Sequence, residues 1–266
     1  MRAKQKSPTD MTVRYEMRDE AVALITLNRP QALNAFNADM RRDLLDAVTK
    51  ASSDRAVRVF IITGEGRGFS AGADVTDVTG TRTVEDVLNA EYGAFLSIIQ
   101  ACDKPVIAAI NGPAAGIGMT LALTCDLRVM AADAYLMSAF SNIGLVPDGG
   151  LSWLLTQEVG YARAYQLAIE AEKISAERSL ALGLVNRVAP AGEVVSNAVD
   201  WARSLAARAP IAMNLTKRSF RAAAQAGLRN AMALEAMLQK TAIASEDCRE
   251  GVMALMQKRK PEFKGR

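Results

Sequence analysis

Histidine is absent from all 266 residues. The commonest general base near neutral pH and the commonest metal ligand are therefore missing, so no metal site is expected and chemistry must rest on carboxylates and backbone dipoles. Cysteine is scarce. Cys102, Cys125 and Cys248 lie far apart with no CxxC pair, which reads as reduced, mostly buried thiols in a reducing, cytoplasmic setting. Charge of one sign is scarce too: 32 basic and 29 acidic residues leave +3. That is too mild to argue for nucleic acid and compatible with an anionic small ligand. No apolar run approaches the ~20 residues of a membrane span. The opening MRAKQKSPTD is basic but lacks the apolar segment of a secretory signal, so residues 1–10 read as a frayed tail. No Walker-type loop and no ordered Gly-x-Gly-x-x-Gly follows a strand, so nucleoside triphosphate and NAD lack support. Low-complexity segments and internal repeats are also missing.

What is present suits one large domain, half of it hydrophobic. Strands are expected at 22–27, 57–63, 106–110, 127–131, 134–137 and 184–188, where short apolar runs end in turn residues. Between them fall helices. Asn37 is placed to cap one running to about 51, and others are expected over 84–101, 119–124, 151–159, 161–170 and 176–182. From 193 onward the pattern is nearly all helical, broken once at Gly227. Strands alternating with helices argue for an α/β body with parallel strands. The polar stretch 76–83 reads as mobile.

Two short stretches carry the chemistry: Phe69-Ser-Ala-Gly-Ala-Asp74 and Asn111-Gly-Pro-Ala-Ala-Gly-Ile-Gly118. Each follows an apolar, strand-like run and presents unhindered backbone N–H groups at a strand-to-helix turn. Two such turns facing one another make an oxyanion hole, a pair of donors aimed at one carbonyl oxygen. Alone, each is also an ordinary tight turn.

With Leu27-Asn-Arg-Pro-Gln-Ala-Leu-Asn-Ala35 before them, Asp126 after them and Glu250 to Lys260 near the end, the order of motifs resembles the crotonase (enoyl-CoA hydratase/isomerase) superfamily over nearly the whole chain. The resemblance implies a crotonase-like spiral of ββα units over 11–192. It implies a helical trimerisation region over 193–266, and a homotrimer or dimer of trimers. It implies enolate stabilisation on an acyl-CoA thioester, as in fatty-acid metabolism. Coenzyme A enters as part of the substrate, with no other cofactor. By position, the oxyanion donors are the amides of Ala73 and Ile117.

Hydratases of this superfamily use two glutamates. Their places here are taken by Thr120 and Phe140, and neither side chain is a useful base near neutral pH. One acid stands in the turn Gly144-Leu-Val-Pro-Asp148-Gly-Gly150. The same sequence is also a plain structural turn. Resemblance to isomerases that carry their single carboxylate there, including ring-opening and ring-epoxide isomerases, implies Asp148 as a proton shuttle. Phe140, Leu145 and Trp153, with Thr120, are expected around it, and apolar neighbours should raise its pKa. For coenzyme A the resemblance points to Leu255 and Lys258, to backbone around Ala35, Ala71 and Asp74, and to Arg29 as a further cation. Gln31 replaces a basic residue common in relatives. The leading expectation is an acyl-CoA double-bond isomerase acting on a 3-enoyl-CoA or a cyclic acyl-CoA. A hydratase, lyase or thioester hydrolase with a non-standard acid is one alternative, and a catalytically silent acyl-CoA-binding oligomer is another. A dehalogenase branch needs the histidine this chain lacks.

Overall fold

The computed structural model describes residues 11–77 and 83–266. The tail read over 1–10 and most of the stretch 76–83 lie outside the described residues. The main sheet has the order β1-β2-β3-β4-β6-β9, from β1 (Val13–Met17), β2 (Val22–Leu27), β3 (Val59–Gly64), β4 (Val106–Ile110), β6 (Leu127–Ala131) and β9 (Arg187–Ala189). β1 is antiparallel to β2, and every later pair is parallel. The register sets Leu24, Ile61, Ile107 and Leu127 in one row. β2, β3 and β4 are buried at every residue, which is why they read as continuous apolar runs rather than as alternation.

A second, narrow sheet runs beside the first: β5 (Ala114–Ala115), β7 (Tyr135–Met137) and β8 (Ile174–Ser175). Single bridges extend it at Ser70–Ala114 and Phe36–Ala73. Each turn of the spiral is thus a long main-sheet strand, a minimal lateral strand and a helix. β2, Phe36 and α1 (Ala38–Ser53) form one. β4, β5 and α4 (Ile117–Thr124) form another, and β6, β7 and α5 (Leu151–Val159) a third. The repeat leaves no trace in the sequence because its second strand is only one to three residues long in these units. Such a strand is too short to show a period.

α1 begins as expected, with the Asn37 side chain accepting from the Met40 N–H. The helix expected over 84–101 has three parts: α2 (Val84–Asp86), a π-helical stretch Val87–Tyr92, and α3 (Gly93–Ala101). α6 (Tyr161–Glu170) and α7 (Ala176–Ala181) lie near their expected positions. The strand expected at 184–188 starts three residues later, at Arg187, because Leu184 and Val185 are buried in the core before pairing begins.

The C-terminal helices are α8 (Val194–Ala206), α9 (Pro210–Ala223), α10 (Leu228–Ala244) and α11 (Glu246–Gln257). They are broken by Pro210 and Ser245 as well as by Gly227. α8 buries Val194, Ala198, Val199 and Ala202 against the main sheet, so the helical region expected from 193 starts inside the body. Its alanines let the backbone approach closely, while each buried valine contributes about 1.5–3 kcal/mol. α9 and α10 bury no residue in the single chain. Among the described residues no helix is long and apolar enough to cross a membrane.

Candidate active site

In a parallel sheet the carboxyl ends of all strands face the same way, and the loops leaving them converge. Here β2 delivers residues 28–36, β3 delivers 65–74 and β4 delivers 111–116. Two asparagine side chains tie these loops together. Asn34, held at φ 56, accepts from the Arg29 N–H at 2.9 Å and donates to the carbonyls of Glu65 and Gly68. Asn111 accepts from the Gly64 N–H at 3.1 Å and donates to the Gly66 carbonyl. The sequence reading placed both residues inside motifs without giving them this task. An asparagine held at positive φ signals it only once the fold is known.

The two glycine-containing turns meet. The Ala115 N–H donates to the Ser70 carbonyl at 2.9 Å, and the Ser70 N–H donates to the Pro113 carbonyl. Gly72 sits at φ +101, where a Cβ would stand 2.9 Å from the Ala115 carbonyl oxygen and 3.7 Å from Gly116 Cα. Around this contact the amides have partners: Ala71 on Leu33, Gly72 on Ser70 Oγ, Asp74 on Phe36, Gly116 on Met137. Among the described residues, no hydrogen bond engages the N–H of Ala73 or of Ile117. The Ile117 amide is the first of α4, an end where N–H groups stay open and the helix dipole favours negative charge. Two open donors, each one residue past the point where the turns touch, make a plausible cradle for a carbonyl oxygen gaining charge.

The Pro147-Asp148-Gly149-Gly150 turn lies directly over α4. A Cβ on Gly149 would collide with Ile117 Cδ1 and stand 3.0 Å from Thr120 Cγ2 and 3.1 Å from Leu96 Cδ1. Thr120 is fully buried, and its hydroxyl donates to the Asp148 carbonyl oxygen at 3.3 Å. Thr120 therefore supports the turn from below. Asp148 Oδ1 is buried with no hydrogen-bond partner among the described residues. Burial pushes its pKa up from 3.8 to about 6. Desolvation, which disfavours the charged form, sets the direction.

A cavity of about 600 Å³ opens beside this carboxylate. Leu145 and Trp153 line it, as expected. Phe140 does not: its ring packs behind Gly116, 3.7 Å from where a Cβ there would be, so it backs the second turn rather than the acid. The opposite wall comes from Leu88, Asn89, Gly93, Leu96, Ser97 and Gln100, which the sequence reading treated only as helix. Their available signal was a polar or small residue at 89, 93, 97 and 100, the spacing of one helical stripe. A second cavity, about 750 Å³, lies by Asp126, Lys217 and Phe220 at the amino ends of β4 and β6, away from the carboxylate.

Of the expected coenzyme A residues, Arg29, Ala35, Ala71 and Asp74 come together. Arg29 is not a free cation, however. Its Nη1 donates to the Ala35 carbonyl at 2.5 Å and its Nη2 pairs with Asp74 at 2.9 Å. The Thr76 hydroxyl and then this pair, with the Thr76 N–H, hold the Asp74 carboxyl below the usual range. Arg29 therefore shapes the loop rather than offering its charge. Leu255 and Lys258 stand exposed at the end of α11, joined to that group by no hydrogen bond or ion pair among the described residues. Arg259 beside them is engaged by Glu250. Among the described residues no cluster of histidine, cysteine, aspartate or glutamate is arranged to hold a metal ion.

Comparison with known proteins gives a consistent picture. A family model described as enoyl-CoA hydratase/isomerase matches residues 17–266. A probable enoyl-CoA hydratase of Rhodobacter capsulatus is 41% identical over 96% of this chain and 98% of its own length. The 1,2-epoxyphenylacetyl-CoA isomerase of Escherichia coli is 37% identical over 93% of this chain and 97% of its own. Among solved structures, an enoyl-CoA hydratase from Bacillus anthracis superposes with a TM-score of 0.91 at 30% identity, covering 96% of this chain and all of that one.

Proposed function

We propose, from the premise that this chain belongs to the enoyl-CoA hydratase/isomerase family, that it is an acyl-CoA double-bond isomerase with one proton-carrying carboxylate. The observation that carries this reading is Asp148: one oxygen buried and unpartnered, on a turn packed against Ile117, beside an acyl-sized cavity. The amides of Ala73 and Ile117 would hold the thioester oxygen. Asp148 as carboxylate would take a proton from C2 of a 3-enoyl-CoA. The C2–H electron pair then delocalises over the thioester as a dienolate, and the negative charge gathers on the cradled oxygen. The aspartic acid returns its proton to C4, and the double bond comes to rest between C2 and C3. One donor of such a pair lowers the barrier by roughly 3 kcal/mol. No water and no second acid is consumed.

The places of the two hydratase glutamates support the same reading. Thr120 is committed beneath the turn and Phe140 lies behind Gly116. A second reading, hydration, is favoured by the likeness to the probable enoyl-CoA hydratase of Rhodobacter capsulatus. Heavy-water assays separate the two. Given 3-enoyl-CoA, the isomerase should move the double bond; given 2-enoyl-CoA separately, it should form no 3-hydroxyacyl product; and Asp148→Asn should lose turnover by about a hundredfold or more while keeping coenzyme A affinity. A 3-hydroxyacyl product that survives the substitution would defeat the isomerase assignment.

A further inference from the structure

The cavity beside Asp148 has two unlike walls. One is apolar, with Leu145, Trp153 and Leu154. The other comes from one helical segment and sets a stripe of Asn89, Gly93, Ser97 and Gln100 beside Leu88 and Leu96. A glycine inside a helix costs about 1 kcal/mol relative to alanine, so its presence here asks for a reason. Space supplies one. Among the described residues, and apart from the backbone of its own helix, a Cβ on Gly93 would meet only the Leu88 carbonyl oxygen within 4 Å, at 3.2 Å, so the direction of the missing side chain is otherwise open. Gly93 also follows directly on the π-helical stretch Val87–Tyr92. Such wide turns recur at functional sites because they re-aim the residues around them. The result is a notch between Asn89 and Ser97, one helical turn to either side, each carrying uncharged hydrogen-bonding groups.

We infer that Gly93 is a specificity-determining residue, and that the acyl group accepted here is wider than a straight chain and carries an uncharged oxygen on one edge. The ring or branch fills the notch. Its apolar face lies on Leu145 and Trp153, and its oxygen meets Asn89 and Ser97. This rests on the cavity being the acyl site of the proposed reaction, and it adds the class of substrate.

The test is binding, not turnover. Calorimetric titrations would use unreactive saturated thioesters: hexanoyl-CoA, cyclohexylacetyl-CoA and the positional isomers of hydroxycyclohexylacetyl-CoA. At least one hydroxylated ring should bind about tenfold tighter than hexanoyl-CoA. Gly93→Leu should erase that advantage and leave hexanoyl-CoA within about threefold of the parent. Asn89→Ala combined with Ser97→Ala should bring the hydroxylated ring down to the plain ring. If Gly93→Leu fails to fold, Gly93→Ala must show a smaller loss in the same order. The inference is overturned if hexanoyl-CoA binds as tightly as every ring, or if the Gly93 variants weaken all thioesters equally. Because no reaction occurs, the ring preference stands or falls independently of whether Asp148 moves a proton.

Discussion

Asp148 titrates at about 6 in the folded chain, against 3.8 for a free aspartate. Between those values the native state holds a proton that the unfolded chain has released. The stability tied to this group is therefore present below about pH 4, falls as pH rises toward 6, and stays low above. Asp148→Asn removes the titration. The variant should match the parent near pH 4 and exceed it near neutrality by on the order of 1–2 kcal/mol, a figure reduced for the solvent that still reaches the group. Urea unfolding at both pH values checks this. Catalysis should run the opposite way. In the proposed isomerisation the carboxylate is the working form, so kcat/KM should climb through pH ~6 and level off above it.

The two glycine-containing turns are elements, and their value lies in how they touch. Gly72 allows the backbone after β3 to pass within contact of Ala115. Gly72→Val would add a branched side chain at positive φ against a carbonyl oxygen, forcing the turns apart. The expected result is a fall in kcat of about a hundredfold or more with coenzyme A affinity within a few fold, read by steady-state kinetics and calorimetry. A matching fall in affinity would instead mean that the turn mainly holds the nucleotide. Arg41 makes a similar point for the helices. Its buried guanidinium pairs with Asp77 at 2.9 Å and with Glu91 at 2.5 Å, joining the segment after the first turn to the π-helical stretch. Nothing in the spacing of these three residues announces that contact.

At the scale of the whole molecule, the C-terminal helices leave large apolar side chains uncovered: Phe220 at 74%, Leu228 at 79%, Met237 at 70% and Leu255 at 79% exposure. Phe220, Leu228 and Met237 lie on α9 and α10, which bury no residue in the single chain, and so much exposed apolar surface there is the usual mark of a face awaiting a partner. Sedimentation should give a trimer or a dimer of trimers. Met237→Lys with Leu228→Lys should shift it toward monomer and lower the unfolding temperature. A monomer in the parent protein at micromolar concentration would count against a trimerisation role for these helices.

The strand runs, the helix spacing, the asparagine cap at Asn37 and the order of the motifs were legible in the chain, because each depends on residues close in sequence. The lack of histidine and the single acid before Gly149-Gly150 narrowed the chemistry in the same way. Tertiary structure alone decided the rest. It converted Arg29 from a free cation into a loop tie, moved Phe140 behind Gly116, set Thr120 beneath Asp148 and put α8 into the body. It also built a ββα spiral from lateral strands too short to show a period. The physical reason is common to all of these. Charge pairing, burial and cavity walls are made by groups far apart along the chain, and their energies exist only once parallel strands bring the loops together.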